Sequence, residues 1–323
     1  MLITITLAVV LMLSVMVFTT PYFCAMFIRA VFATTKQSPP PGYEEMAQHV
    51  TVYNDVEYPS AHGSNQLDIY LPKDTEQPHA TILFMHGGGY VGGDKGEVTY
   101  LATAMSEKGY AVVSMNYARA PQASYPVPLV QLGEVYAFIK ADTRYNLDAE
   151  NLIFAGSSAG AHCVAQFVTM QTSAAYAELI GSTQTVPAEN IAAVLLYCGP
   201  YDFETFGTQS NYFMNFMMGR SMWAYFDTFK WSERYGYSAT LKHHVTGEFP
   251  PTFITDGNTG SFAHDGKELE QTFLNLHVPV VSYFPSIDDE KTGHEFQYDM
   301  HTPAGDTVFD QAMLFLDAYS QQP

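Results

Sequence analysis

Six short apolar runs, alternating for the most part with stretches of helical spacing, set the strongest limit on what this chain can fold into. The runs are "ATILFM" (80–85), "YAVVSMNY" (110–117), "NLIFA" (151–155), "IAAVLLY" (191–197), "PTFIT" (251–255) and "VPVVSYF" (278–284). They carry apolar residues on consecutive positions, which predicts strands buried on both faces. Between and after them, residues 97–109, 126–143, 161–180, 264–276 and 306–320 repeat apolar positions at helical intervals. Strands alternating with helices predict an α/β fold, a mostly parallel central sheet with helices on both faces. The earlier "VEYPS…NQLDIYLP" (56–72) reads as an antiparallel pair opening that sheet. Ligands in such folds bind at the carboxyl ends of the strands.

Charge narrows the function classes. Fourteen Lys+Arg against 33 Asp+Glu give a net charge of −19, the opposite of a nucleic-acid-binding footprint. Three scattered cysteines, Cys24, Cys163 and Cys198, form neither a disulfide framework nor a zinc pattern. No metal or cofactor is expected. From Leu2 to Ile28 there is no charged residue, and about 20 apolar residues suffice to span a bilayer. Residues 1–33 are therefore expected to be a transmembrane anchor or an uncleaved signal-like segment. Arg29 and Lys36 follow the run, which by the positive-inside rule puts the following domain in the cytoplasm. The Pro-rich, polar stretch over 34–49 reads as a linker, leaving 50–323 as the globular domain.

Two glycine-rich joints carry the chemistry. In "NLIFAGSSAGAH" a strand runs into Gly156-Ser157-Ser158-Ala159-Gly160 and a helix follows. A nucleophilic serine must stand clear of its neighbours on a tight strand-to-helix turn, and only small residues two positions either side allow that approach. Ser158 is the residue displayed, and the Ala159 N–H is placed to meet a developing oxyanion. In "ILFMHGGGYVGGD" another strand meets His86-Gly87-Gly88-Gly89, an arrangement that turns backbone N–H groups toward a ligand. The segment lacks the G-K-[ST] ending of a phosphate-binding loop, and His86 reads as structural.

With these joints, Tyr117-Ala118-Arg119-Ala120-Pro121, Tyr125-Pro126 and Leu147-Asp148 extend the pattern. Over about residues 65–320 the chain resembles the hormone-sensitive-lipase-like family of α/β-hydrolases and the related feruloyl and acetyl-xylan esterases. The resemblance implies an α/β-hydrolase fold with a small helical cap. It also implies a serine carboxylesterase and an oxyanion hole from Gly88, Gly89 and Ala159. Ser157 stands where the family often has Asp, and His162 where Asn is frequent.

A serine nucleophile needs a histidine, and the histidine an acceptor. In this fold they follow in the order Ser, Asp/Glu, His. His294, in "KTGHEFQYD", matches the family's G-H-x-F-like sequences and is the expected base, with His301 next. The family's acid position falls near Gly260, which carries no carboxylate. Asp256, at the end of "PTFIT", is the favoured acid. Asp265 is the alternative, followed by Asp288, Asp289 and Glu290 close before His294. Residues 203–249 are expected to form the cap, and their Phe, Tyr, Met and Trp to wall a pocket for a small to medium hydrophobic ester. Asp202 reads as a turn or capping residue. Two other readings remain open: an amidase, arylformamidase or peptidase on the same triad, and a catalytically weak, membrane-tethered binding module.

Overall fold

A computed structural model describes residues 5–6, 15–17, 19–32, 37–73, 75, 78–206 and 212–320. Parts of the expected anchor (1–4, 7–14, 18, 33), linker (34–36) and cap (207–211) lie outside the described residues.

Eight strands form one sheet in the order β1-β2-β4-β3-β5-β6-β7-β8. They are β1 (Val50–Glu57), β2 (Gln66–Pro72), β3 (Thr81–Met85), β4 (Ala111–Met115), β5 (Leu152–Ser157), β6 (Ile191–Tyr197), β7 (Thr252–Thr255) and β8 (Val280–Tyr283). β2 pairs antiparallel with β1 and with β4, and every later pairing is parallel. This is the expected mostly parallel sheet with its antiparallel opening.

The helices are α1 (Tyr22–Phe32), α2 (Tyr43–Gln48), α3 (Thr99–Glu107), α4 (Val127–Ala141), α5 (Ala159–Thr172), α6 (Ala174–Leu179), α7 (Tyr212–Phe226), α8 (Trp231–Ala239), α9 (Ala263–Asn275) and α10 (Pro303–Tyr319). Alternate residues of β3 feed two separate cores. Leu83 and Met85 join the side chains of α4, α5 and α9, whereas Ile82 and Phe84 join those of α3 and α10. Burial on both faces is why these strands read as unbroken apolar runs. The single helix expected over 161–180 is two, α5 and α6. Ser173 takes an extended backbone (φ −137°, ψ 104°) and its side chain accepts from Tyr176 N, capping α6.

The membrane anchor is a correction. Among the described residues no helix is long and apolar enough to cross a membrane. The chain leaves helical geometry at Thr20 and Pro21, and α1 is only 11 residues long. It packs on the sheet-bearing body, burying Cys24 and Ala25. Arg29 donates from Nε to Val91 O (2.7 Å) and from Nη2 to Ala120 O and Gln122 Oε1 (both 2.8 Å). Hydropathy summed over the run sees neither the break at proline nor the partners that hold Arg29. The expected single-pass anchor, and the cytoplasmic placement argued from it, are overturned.

Candidate active site

The parallel strands all point their carboxyl ends to one edge, and the chemistry-bearing loops leave from there. Ser158 follows β5 with φ 51° and ψ −121°. That left-handed backbone costs a non-glycine residue about 1–3 kcal/mol. It lifts the side chain off the sheet, held by a bond from Ser158 N to Tyr197 O (2.8 Å) on β6. The flanking glycines are required by contact. A Cβ on Gly156 would lie 2.6 Å from Gly160 C, and one on Gly160 would lie 2.2 Å from Met85 O.

The loop after β3 lies against this elbow. A Cβ on Gly87 would sit 3.0 Å from Ser158 Cβ. Gly88 has φ 103°, and its carbonyl accepts from Val91 N (3.1 Å) and Gly92 N (2.8 Å), folding the loop on itself. Gly89 (φ 59°) has nothing within 4 Å of a would-be Cβ, so its surface is open. His86 is fully buried, donates from Nδ1 to Gly87 O (2.8 Å) and stacks on Tyr117. Burial drives its pKa down to about 4, in keeping with a neutral, structural ring.

The structure brings His294 to Ser158: Nε2 and Oγ are 2.9 Å apart. The other expected groups are placed elsewhere. Asp265 Oδ2 accepts from Tyr201 N (3.1 Å) and Asp202 N (3.2 Å), tying α9 to the loop after β6. Burial pushes its pKa up to about 6. Glu290 Oε2 accepts from Ala304 N (2.8 Å) at the start of α10, and His301 is exposed. Asp202 Oδ1 accepts from Glu204 N and Thr205 N, as a turn residue does.

Asp256 is buried at the end of β7, and burial raises its carboxyl above the ordinary range. Its Oδ1 accepts from Gly257 N (2.7 Å) and from the Ser261 hydroxyl. Ser261 Oγ in turn lies 2.6 Å from His294 Nδ1. The residue beside the imidazole is therefore a serine, with the carboxylate one step behind it. Ser261 carries no carboxylate, so the requirement for an acid beside the histidine does not single it out. The available signal was its position, directly after Gly260 where the family's acid falls.

Two loops make this register. Asn258 N donates to Thr292 Oγ1 and Thr292 N to Asn258 Oδ1, both at 3.1 Å. Thr259 N donates to Thr292 O (3.0 Å). Gly257 allows the approach, since a Cβ there would lie 2.0 Å from Gly293 O. Cys198, Asp256 and His294 bring donor atoms within 4.8 Å of one another. Burial holds the Cys198 thiol protonated, however, and both His294 nitrogens are engaged, so the trio does not suit a metal ion.

Around the site, Phe262 stands edge-on to the His294 ring (5.4 Å) and stacks on Phe206 (5.9 Å). From the cap, Tyr225 stacks on Tyr90 of the glycine-rich loop (4.1 Å). His294 also borders a cavity of about 510 Å³, lined by Glu97, Thr292, Glu295 and Tyr298 among others. Burial and the nearby Glu295 push Glu97 up to about 7.

Below the elbow, His162 accepts from Tyr90 OH at Nδ1 (2.9 Å) and donates from Nε2 to Ala239 O (3.0 Å), joining α5 to α8. Burial lowers its pKa to about 3. Between the ordinary value of 6.5 and about 3 the unfolded chain binds a proton that the folded ring refuses. Stability is therefore lost as pH falls through that window. His162→Asn should flatten the decline, removing up to about 1.4 kcal/mol per pH unit from the slope. Urea unfolding at successive pH values between neutrality and the lower end of that window checks this, and identical slopes would count against it.

An eight-stranded, mostly parallel sheet with a serine elbow after β5 and a histidine loop after β8 is an α/β-hydrolase. More narrowly, the chain belongs to the BD-FAE family, whose model matches residues 67–264. Among curated relatives it is similar to the acetyl esterase of Salmonella paratyphi A (strain ATCC 9150 / SARB42). The two are 26% identical over 270 residues, covering 80% of this chain and 78% of the relative. Among solved structures it is similar to esterase B from Lactobacillus Rhamnosis, with a TM-score of 0.74 at 21% identity, covering 94% and 96% of the two chains. A bacterial heroin esterase aligns with a TM-score of 0.68 at 18% identity, covering 92% and 90%. The structural likenesses show the fold, and the family and relatives support a carboxylic ester hydrolase.

Proposed function

We propose that this protein is a serine carboxylesterase that hydrolyses small to medium hydrophobic esters through an acyl-enzyme. The observation that carries the reading is the 2.9 Å contact between Ser158 Oγ and His294 Nε2 on a strained elbow. In the first half-reaction Ser158 Oγ attacks the ester carbonyl carbon while His294 Nε2 takes the hydroxyl proton. The carbonyl electron pair moves to the oxygen, which the N–H groups of Gly88, Gly89 and Ala159 stabilise. Collapse expels the alcohol, protonated by His294, and leaves the acyl group on Ser158. Water, deprotonated by His294, then releases the acid and restores the serine. Asp256 serves as the triad acid, acting on His294 at one remove. The catalytic unit is residues 50–323, with 203–249 as its cap.

The substrate class follows from what faces the imidazole. Phe262, with Phe206 stacked behind it, offers an apolar surface beside the imidazole, suited to the acyl or aryl group of a hydrophobic ester. A kcat/KM series on p-nitrophenyl acetate, butyrate, octanoate and palmitate should peak among the shorter chains. The matching anilides should be turned over far more slowly. Anilide turnover as fast as ester turnover would transfer the assignment to amide hydrolysis.

A further inference from the structure

We infer that Ser261 is the residue that orients His294, and that Asp256 acts on the imidazole only through the Ser261 hydroxyl. The inference rests on the proposed esterase reading for its catalytic consequence and on geometry for its structure.

A serine hydroxyl has one proton to give. An ionised Asp256 can only accept, so Ser261 donates to Asp256 Oδ1 and has only lone pairs left for the imidazole. At 2.6 Å the contact with His294 is then a bond donated by Nδ1–H. The ring is fixed with its proton on Nδ1 and a lone pair on Nε2, facing Ser158 Oγ at 2.9 Å. That is the tautomer a general base needs. The order of bonds matters as much as their presence. A neutral donor at position 256 would let Ser261 donate toward Nδ1 instead, leaving the ring proton on Nε2, where it cannot take one from Ser158.

The parts are built to hold this line. Gly257 N anchors the carboxylate (2.7 Å). The loop from Asp256 to Ser261 is stitched to the loop before His294 through Asn258 and Thr292. Asn258 also donates from Nδ2 to Glu290 O (2.7 Å). Phe262, the next residue, places its ring against the imidazole. Ser261 is thus a positioning residue: its hydroxyl is bonded to Asp256 and His294, and it acts through His294.

Links in series and links in parallel give different double mutants. Ser261→Ala and Asp256→Asn should each lower kcat/KM on p-nitrophenyl acetate, by about 10²–10⁴-fold on the scale of losing a triad's orienting group. The double variant should be no slower than the worse single. Ser261→Thr, which keeps the hydroxyl, should recover most of the rate. Multiplying losses in the double variant, or full activity in Ser261→Ala, would overturn the inference.

A readout independent of turnover is the low-field proton resonance of His294 Nδ1–H in the full chain. It should be present in the parent, in Ser158→Ala and in Ser261→Thr, and lost in Ser261→Ala. Its absence from the parent, or its persistence in Ser261→Ala, would overturn the role of Ser261. A parent inert toward every ester would defeat the esterase reading instead, and the resonance would still decide the relay.

Discussion

Ser158→Ala removes hydrolysis of p-nitrophenyl acetate, with a fall in kcat on the order of 10⁶-fold, and leaves the urea midpoint close to that of the parent. The two halves of this result have separate causes. The Oγ lost is the atom that faces His294 Nε2 at 2.9 Å, and no other described hydroxyl takes that place. Stability is spared because alanine keeps the Cβ that the elbow already accommodates. The strained backbone (φ 51°) is equally costly for either residue. The bond from residue 158 N to Tyr197 O is a main-chain bond and persists. A variant with a readily measured fraction of the parent's turnover would contradict the assignment. One that failed to fold would contradict the separation of the two effects.

Gly160→Ala is expected to have the largest effect on stability, at least about 3 kcal/mol, the upper end for overpacking a core. The added methyl would lie 2.2 Å from Met85 O and 2.5 Å from His86 O, both main-chain atoms that no side-chain rotation can move. Helix α5 would have to withdraw from β3, which carries the glycine-rich loop, so activity should fall with stability. Total stability for a domain is commonly about 5–15 kcal/mol, which makes this a large share. The control is Gly219→Ala within α7, where nothing lies within 4 Å of the added Cβ. There alanine should gain up to about 1 kcal/mol from helix propensity. Equal urea midpoints for Gly160→Ala and the parent would refute the close-approach argument.

Legibility differed by the range of the interactions involved. β5, the elbow and the glycine-rich loop were readable because each leaves a local mark: small residues two positions either side of Ser158 and three glycines in a row after β3, even though the contact that requires Gly160 comes from Met85 O on β3. Strand identity was readable because burial on both faces leaves an unbroken apolar run. The break at Ser173 was harder, since an apolar period continues across it and only a side-chain cap ends it. The N-terminal run misled because hydropathy counts apolar residues and cannot see Arg29 bonding to Val91 and Ala120, many residues away. Ser261 was faint for the same reason. Its part is defined by a loop register set through Asn258 and Thr292, and its one local signal, the place directly after Gly260, has meaning only within that register.

Covalent labelling tests the central claim most directly. The full chain is treated with a fluorophosphonate and the adduct located by peptide mass spectrometry. A single adduct on Ser158, abolished in Ser158→Ala and strongly slowed in His294→Gln, is the predicted result. No adduct, or one carried by a different residue, would contradict it.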